Sequence, residues 1–390
     1  EAARLVTTRL AKAMAATASS RVAPETTAWQ RTQGTRAASL ARSVALVTVL
    51  VAACLLVPSA GFAQCAVCGS PAVTPVEIDP TRPFGRKALS PGAVRVTLGY
   101  TLQRWRDLYS DAGAVSDTDR PQYVHTSKWA IDAHQFNILA AIGVGAGFEV
   151  ELVAPLLIAA ATHIPATGDG EGVDAQGAPF THTNDVGLSD VELRVAWSRS
   201  IARAALIRIA VGAVFGSGDF LVKSPGGPPE DTYTSLGRGT RWLTLDVDAQ
   251  HTVTRVAGVA LGWSLTTEGR HALADIEGPE GYVFRWGDEL RVTPAVLALD
   301  LLGRVDLALG LTWQWRGRGE EQVFADTPRE AFANGGSTTW LLQPSLRVRL
   351  PAGLSAIATV RVPLARSAHG VQPVTGFGGS FALQWSTAAL

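Results

Sequence analysis

From residue 93 onward the apolar and polar positions of this 390-residue chain alternate with a period of two. In the run Val305-Asp306-Leu307-Ala308-Leu309-Gly310-Leu311-Thr312-Trp313-Gln314-Trp315 every odd position is apolar, and the even positions carry Asp, Ala, Gly, Thr and Gln. Leu243, Leu245, Val247 and Ala249 oppose Thr244, Asp246, Asp248 and Gln250 in the same way. Leu342, Pro344, Leu346, Val348 and Leu350 likewise oppose Gln343, Ser345, Arg347 and Arg349. Successive side chains of a strand point to opposite faces, so the pattern predicts strands with one apolar and one polar face. It predicts about twelve of them, near 93–108, 129–143, 146–161, 187–199, 203–216, 239–253, 257–268, 286–300, 304–316, 337–350, 353–365 and 374–386.

These segments are longer than the five or six residues usual in soluble sheets. They suit a tilted strand that must cross the hydrocarbon of a bilayer, which needs about 9–11 residues. The connections alternate in length. Long ones fall near 109–128, 162–186, 217–238, 269–285, 317–336 and 366–373. Short ones fall at Val144-Gly145, Ser200–Ala202, Thr254–Val256, Leu301–Gly303 and Pro351-Ala352. Short turns on one side, long loops on the other and an even strand count are the marks of an outer-membrane barrel. A soluble β-sandwich would also bury an apolar face, but it gives no reason for that alternation. The expected fold is all-β: a single transmembrane antiparallel up-and-down β-barrel of about twelve strands over 93–390.

Tryptophan placement agrees. Trp105, Trp129, Trp286, Trp313, Trp315 and Trp340 fall near the long-loop ends of their strands, where amphipathic indoles would form a girdle at the membrane boundary. Trp242 lies at the same end with inward parity.

The first 92 residues lack the alternation. Ser43 to Ala60 is uncharged and apolar, follows Arg36 and Arg42, and leads to Gly61-Phe62-Ala63 before Gln64. That order is expected of a secretory signal within an N-terminal extension over 1–63. A membrane-anchoring helix is the other reading, but Pro58 and the small-residue site break it. Residues 64–92, rich in Pro, read as a periplasmic lead-in. Chain-wide, Lys+Arg and Asp+Glu both number 34, but residues 1–63 hold seven of the first and two of the second. The exported part therefore carries a slight acidic excess, with nothing to suggest a nucleic-acid partner. Cys65 and Cys68 form a C-x-x-C just after the expected cut, and in an oxidising periplasm a short disulfide loop is expected. Half a metal site is the alternative, but no second Cys or His pair lies nearby. No cofactor is expected.

Charges within the strands select an interior. Inward parity picks the acids Glu149, Glu151, Glu192, Asp246, Asp248, Glu289 and Asp306, and the arginines Arg95, Arg194, Arg208, Arg291, Arg347, Arg349 and Arg361. An arginine facing lipid at the midplane costs about 2–4 kcal/mol, so these residues are candidate pore-lining groups. In a closed barrel Arg347, Arg349, Arg361 and Arg95 would share one wall, and most acids the opposite one. Arg194 and Arg208 interrupt the acidic wall. Opposed walls would favour polar or dipolar solutes; local salt bridges that plug the interior are the alternative.

Two resemblances bear on function. His125-Thr126-Ser127 with Asn137 resembles the His-x-Ser and Asn of the outer-membrane phospholipase family, which implies a barrel enzyme. The spacing to the Asn is shorter here and the surrounding motif is missing. Asn184-Asp185-Val186-Gly187-Leu188-Ser189-Asp190-Val191-Glu192-Leu193 is similar to the G-L-G-D-x-x-L strand opening of outer-membrane transporters of phenol-degradation pathways. Ser189 replaces the middle Gly, and the next strand ends Phe215-Gly216-Ser217-Gly218 instead of Pro-Thr-Gly. The likeness spans roughly 186–300 and implies a hydrophobic or small organic solute. The expectation is a non-enzymatic outer-membrane channel in contact with lipid, with a lipid hydrolase or a closed structural or adhesive barrel as alternatives.

Overall fold

The computed structural model describes residues 79–105, 108–110, 112–114, 126–165, 180–183, 187–202, 204–216, 238–277, 283–322, 326–331, 335–370 and 372–387. They all belong to the unit Thr48–Leu390. The expected signal stretch, Cys65 and Cys68 lie outside them, as do His125 and the side chain of Ser127.

Among the described residues twelve long strands follow one another: β1 (Val94–Trp105), β2 (Thr126–Gly145), β3 (Phe148–Pro165), β4 (Val191–Ala202), β5 (Ala205–Phe215), β6 (Trp242–Val256), β7 (Val259–Ala272), β8 (Glu289–Leu301), β9 (Val305–Arg316), β10 (Ser337–Arg349), β11 (Leu354–Ala368) and β12 (Gly378–Ser386). Each pairs antiparallel with its neighbour in sequence. Pairing of β12 with β1, from Arg95 opposite Ser386 to Gln103 opposite Gly378, closes the barrel. Closure removes the unpaired edges that an open sheet could not satisfy in lipid.

Alternation decides which face turns inward. On β9 the even positions Asp306, Ala308, Gly310, Thr312 and Gln314 are buried, while Leu307, Leu309, Leu311 and Trp315 are exposed. Around the barrel Leu98, Val195, Val211, Leu245, Leu309 and Phe381 are each about half exposed. A continuous apolar exterior over a polar interior inverts the soluble pattern and is stable only against lipid.

The short turns sit slightly beyond their expected places. Four have the form X-Gly with both residues at positive φ: Ala146-Gly147 (52°, 86°), Ala257-Gly258 (48°, 87°), Leu302-Gly303 (49°, 72°) and Ala352-Gly353 (58°, 73°). Hairpin turns that match the strand twist need positive φ at both central residues, and glycine supplies the second at no steric cost. The long connections carry small sheets of their own. Ile276–Glu277, Val283–Arg285, Glu320–Gln322 and Glu330–Ala331 form one, and Leu108–Ser110, Gly113–Ala114 and Gln372–Pro373 form another.

The tryptophans differ from expectation in part. Trp313, Trp315 and Trp340 face outward near the long-loop ends. Trp105 shares the inward parity of Thr101 and Gln103 and is buried. Trp286 turns into the long-loop mouth, packing on Val214, Trp242 and Ala272. Trp242 is inward, as its parity requires. The side chain of Trp129 lies outside the described residues. Trp197, Trp263 and Trp385 face outward at the short-turn ends, adding a second aromatic belt.

Candidate functional site

The barrel interior is built by the inward half of each strand, and strand register sets opposite charges side by side. Across neighbouring strands Glu151 faces Arg194, Arg208 faces Asp248, Glu268 faces Arg291, Arg270 faces Glu289, Glu289 faces Arg316 and Asp306 faces Arg347. Gly212 lies between Arg194 and Thr244 on adjacent strands. A Cβ there would meet Thr244 Oγ1 at 2.6 Å and Arg194 Cγ at 2.7 Å, so its hydrogen makes the room that Arg194 fills.

All fourteen parity-selected residues are on inward-facing positions, and most have joined ion pairs. Arg95 pairs with Glu149 and lies 3.6 Å from Glu151. Arg194 binds Glu192 at 2.6 Å and Asp246 at 3.0 Å. Arg208 bridges Glu151 at 2.7 Å and Asp248 at 3.1 Å. Arg291 lies 3.4 Å from Glu268, and Glu289 accepts from Arg316 at 2.7 Å. Arg347 and Arg349 share Asp306 at 2.8 and 3.1 Å. Arg361 is buried on β11. The expected opposed walls therefore give way to local pairing. The reason is energetic: a charge held away from water is strongly unfavourable unless it is paired and hydrogen-bonded.

Sequence reasoning missed the residues that complete this network. Arg270 was outside it because β7 was expected to end at 268, and Glu268, the last residue of that expected strand, was left out although its parity is inward. The alternation of β7 continues through Ser264, Thr266, Glu268 and Arg270 to Ala272, which was the available signal. Arg238 enters from the loop before β6, donating to Glu289 at 2.9 Å while its guanidinium stacks 4.6 Å over the Trp242 ring. Burial pushes Arg238 down to about 10, an effect that Glu289 partly opposes, so it stays charged at neutral pH.

The larger correction concerns residues 64–92. From Asp79 the segment read as a periplasmic lead-in lies against the inward faces of the barrel strands. Its single 3₁₀ turn, Arg82–Phe84, is wholly buried, with Pro83 suited to the start of such a turn. Arg82 Nη2 and Nη1 lie 2.7 Å from Asp248 and 3.1 Å from Glu268. Arg86 Nη1 joins Asp79 at 2.7 Å and Glu151 at 3.1 Å. Leu89 N donates to Glu149 Oε1 at 3.1 Å. The chain then leaves along β2, where Gly92 N donates to Gly143 O and Gly143 N to Ala93 O. Nothing in local periodicity marks this segment, because its charged partners lie far off in sequence on β3, β6 and β7. It packs against the inward faces of the strands.

The two motif candidates take structural places. Asn137 points inward and accepts from Gln135, while His125 and the side chain of Ser127 lie outside the described residues. Gly187-Leu188 pairs with the β3 edge. Ser189 N donates to Pro155 O at 2.8 Å, and Asp190 accepts the main-chain N–H of Arg238 at 2.9 Å. The motif thus fixes the start of β4 and the backbone of Arg238.

No protein-family model and no curated protein matches the chain. Among solved structures it is similar to the COG4313 outer membrane channel from Pseudomonas putida F1, with a TM-score of 0.52 and 14% identity over 80% of this chain and 100% of that one. The fold is that of an outer-membrane β-barrel. The outer membrane of a Gram-negative cell is where such a barrel with an apolar exterior resides. Lower similarity extends to the beta domain of the Bordetella autotransporter Brka (TM-score 0.39, 8% identity, 76% of this chain and 99% of that one). A Pseudomonas aeruginosa FadL homologue follows (TM-score 0.33, 11% identity, 84% and 99%).

Proposed function

We propose that this barrel is a channel for passive passage of small organic solutes across the outer membrane, closed at rest by its own N-proximal segment. The observation that carries the reading is the composition of the interior. Its inner wall is polar and charged from the Arg95–Glu149 pair to the Arg238 mouth, and a separate segment, not wall side chains alone, packs within it. A wall built only to be a solid core would use apolar side chains, since buried ion pairs give little net stability over them. The likeness of Gly187-Leu-Ser-Asp190 to transporters of phenol-degradation pathways supports a small organic solute, and the COG4313 protein shares the fold and is itself a channel.

Planar-bilayer recording of the full-length protein, with swelling of loaded proteoliposomes, tests the proposal. The expected result is small discrete conductance that increases when residues 79–88 are deleted. A correctly folded, heat-modifiable barrel that passes neither current nor solute in either form would leave the closed structural or adhesive barrel as the better reading.

A further inference from the structure

The stopper touches the wall in two chemically different ways, and each describes a feature of the wall itself. On one side the Arg82 guanidinium enters a cage of acids. Nε and Nη2 donate to Asp248 Oδ1 at 3.0 and 2.7 Å, Nη1 donates to Glu268 Oε2 at 3.1 Å, and Nη1 lies 3.5 Å from Asp246 Oδ1. Thr267 O accepts a further bond from Nη2 at 2.9 Å. On another side the Phe84 ring packs against Leu297, Ala308 and Ile357, with the Arg347 guanidinium 4.8 Å from its centroid.

The cage belongs to the barrel. Asp246 and Glu268 are direct cross-strand partners on β6 and β7, and like charges so placed repel unless a cation lies between them. The wall's own arginines satisfy part of this group: Arg194 reaches Asp246, Arg208 reaches Asp248, and Arg270 and Arg291 reach Glu268. Even so, Asp246, 1% exposed, has Arg194 at 3.0 Å from one oxygen and Arg82 at 3.5 Å from the other, with a hydrogen bond of good geometry to neither. Without Arg82 the three carboxylates would keep only the wall's own arginines, and the apolar patch under Phe84 lies two residues further along the same segment.

We infer that this stretch of wall is a subsite for an organic cation bearing an apolar or aromatic group, which Arg82 and Phe84 occupy while the barrel is closed. The inference deepens the channel reading and rests on it. A guanidinium or primary ammonium supplies the donors that Asp246, Asp248 and Glu268 face, and its apolar group replaces Phe84 on Leu297 and Ile357. A solute of this class competes with the stopper for the same contacts and so favours its displacement. A neutral analogue gains only the apolar contact, and an anion meets three carboxylates.

The test uses the full-length protein in detergent micelles, with Arg82→Ala and Phe84→Ala combined to vacate both contacts without cutting the chain. Phenethylammonium and 2-phenylethanol are the probes, titrated by calorimetry. The ammonium is expected to bind the double variant roughly tenfold more tightly than it binds wild type, and roughly tenfold more tightly than the alcohol binds, the scale of one charge-assisted contact. Adding Asp248→Asn and Glu268→Gln should erase that preference. Equal affinity for the two probes, or a preference that survives the wall substitutions, overturns the inference. Should the double variant not fold, Arg82→Ala alone is melted with methylguanidinium chloride. A rise in its unfolding midpoint beyond that given by equal sodium chloride supports the subsite, and no difference overturns it. Neither readout needs conduction. A barrel that binds the ammonium but passes no current would refute the channel and keep the subsite, whereas a conducting barrel indifferent to the ammonium would do the reverse.

Discussion

Arg86 Nη1 lies 3.1 Å from Glu151 Oε1, so a residue ahead of the first strand completes the charge balance of the third. The other oxygen of Glu151 takes Arg208 at 2.7 Å, and both partners are almost wholly removed from solvent. The stopper is therefore continuous with the wall's own ion-pair network.

Removing the acid from this junction should be costly. Glu151→Ala leaves Arg86, Arg95 and Arg208 short of a partner, and breaking a buried pair in this way costs about 3–5 kcal/mol. Arg86→Ala leaves Glu151 with two arginines, so its barrel should be destabilised less while the stopper loosens. Urea unfolding in lipid vesicles should order the two variants so. Midpoints equal to that of wild type in both variants would mean that the pair contributes nothing.

A glycine offers a way to unseat the stopper without altering any charge. Gly85 has φ 67° and ψ 147°, a conformation open to glycine almost alone, and a Cβ there would stand 1.8 Å from Gln250 Oε1. Gly85→Ala should strain the segment by about 1–3 kcal/mol and raise the open probability in bilayer recordings. Unchanged gating would show that residues 79–88 do not obstruct the pore.

Acid should act on the same segment through Asp79. Burial alone would raise its carboxyl, but Arg86 and the Thr81 hydrogen bonds outweigh that and hold it below its ordinary 3.8. A depressed carboxylate contributes stability that is complete above its ordinary value and is lost as pH falls through the lower folded value. Conductance should therefore rise as pH drops below about 4, and Asp79→Asn should raise it already at neutral pH and flatten the acid response. An identical profile in wild type and Asp79→Asn would dismiss this role.

The exterior makes a separate prediction. Leu309 lies mid-strand and about half exposed between Ala308 and Gly310, which face inward. Leu309→Arg should cost about 2–4 kcal/mol of folding free energy in bilayers. The loss should shrink when the protein is refolded in micelles that let the guanidinium reach water. A neutral result in bilayers would place this face away from lipid.

The strands, their inward and outward faces and the closed barrel were all legible in the chain, because period-two alternation is a local property that every strand repeats. Parity alone put Glu149, Asp246 and Arg208 inside, and it put Trp242 inside as well. It could not tell which partner each charge would find. Arg208 meets Glu151 across 57 positions of sequence and Arg82 meets Glu268 across 186, distances over which only barrel closure and register decide proximity. For the same reason Trp286 turned into the mouth, where Arg238 and Trp242 hold it, when its position along the strand suggested lipid. The stopper was hidden most completely. Arg82, Phe84 and Arg86 carry no periodicity, and what fixes them is a set of acids and apolar side chains that come together only once the barrel has closed around them.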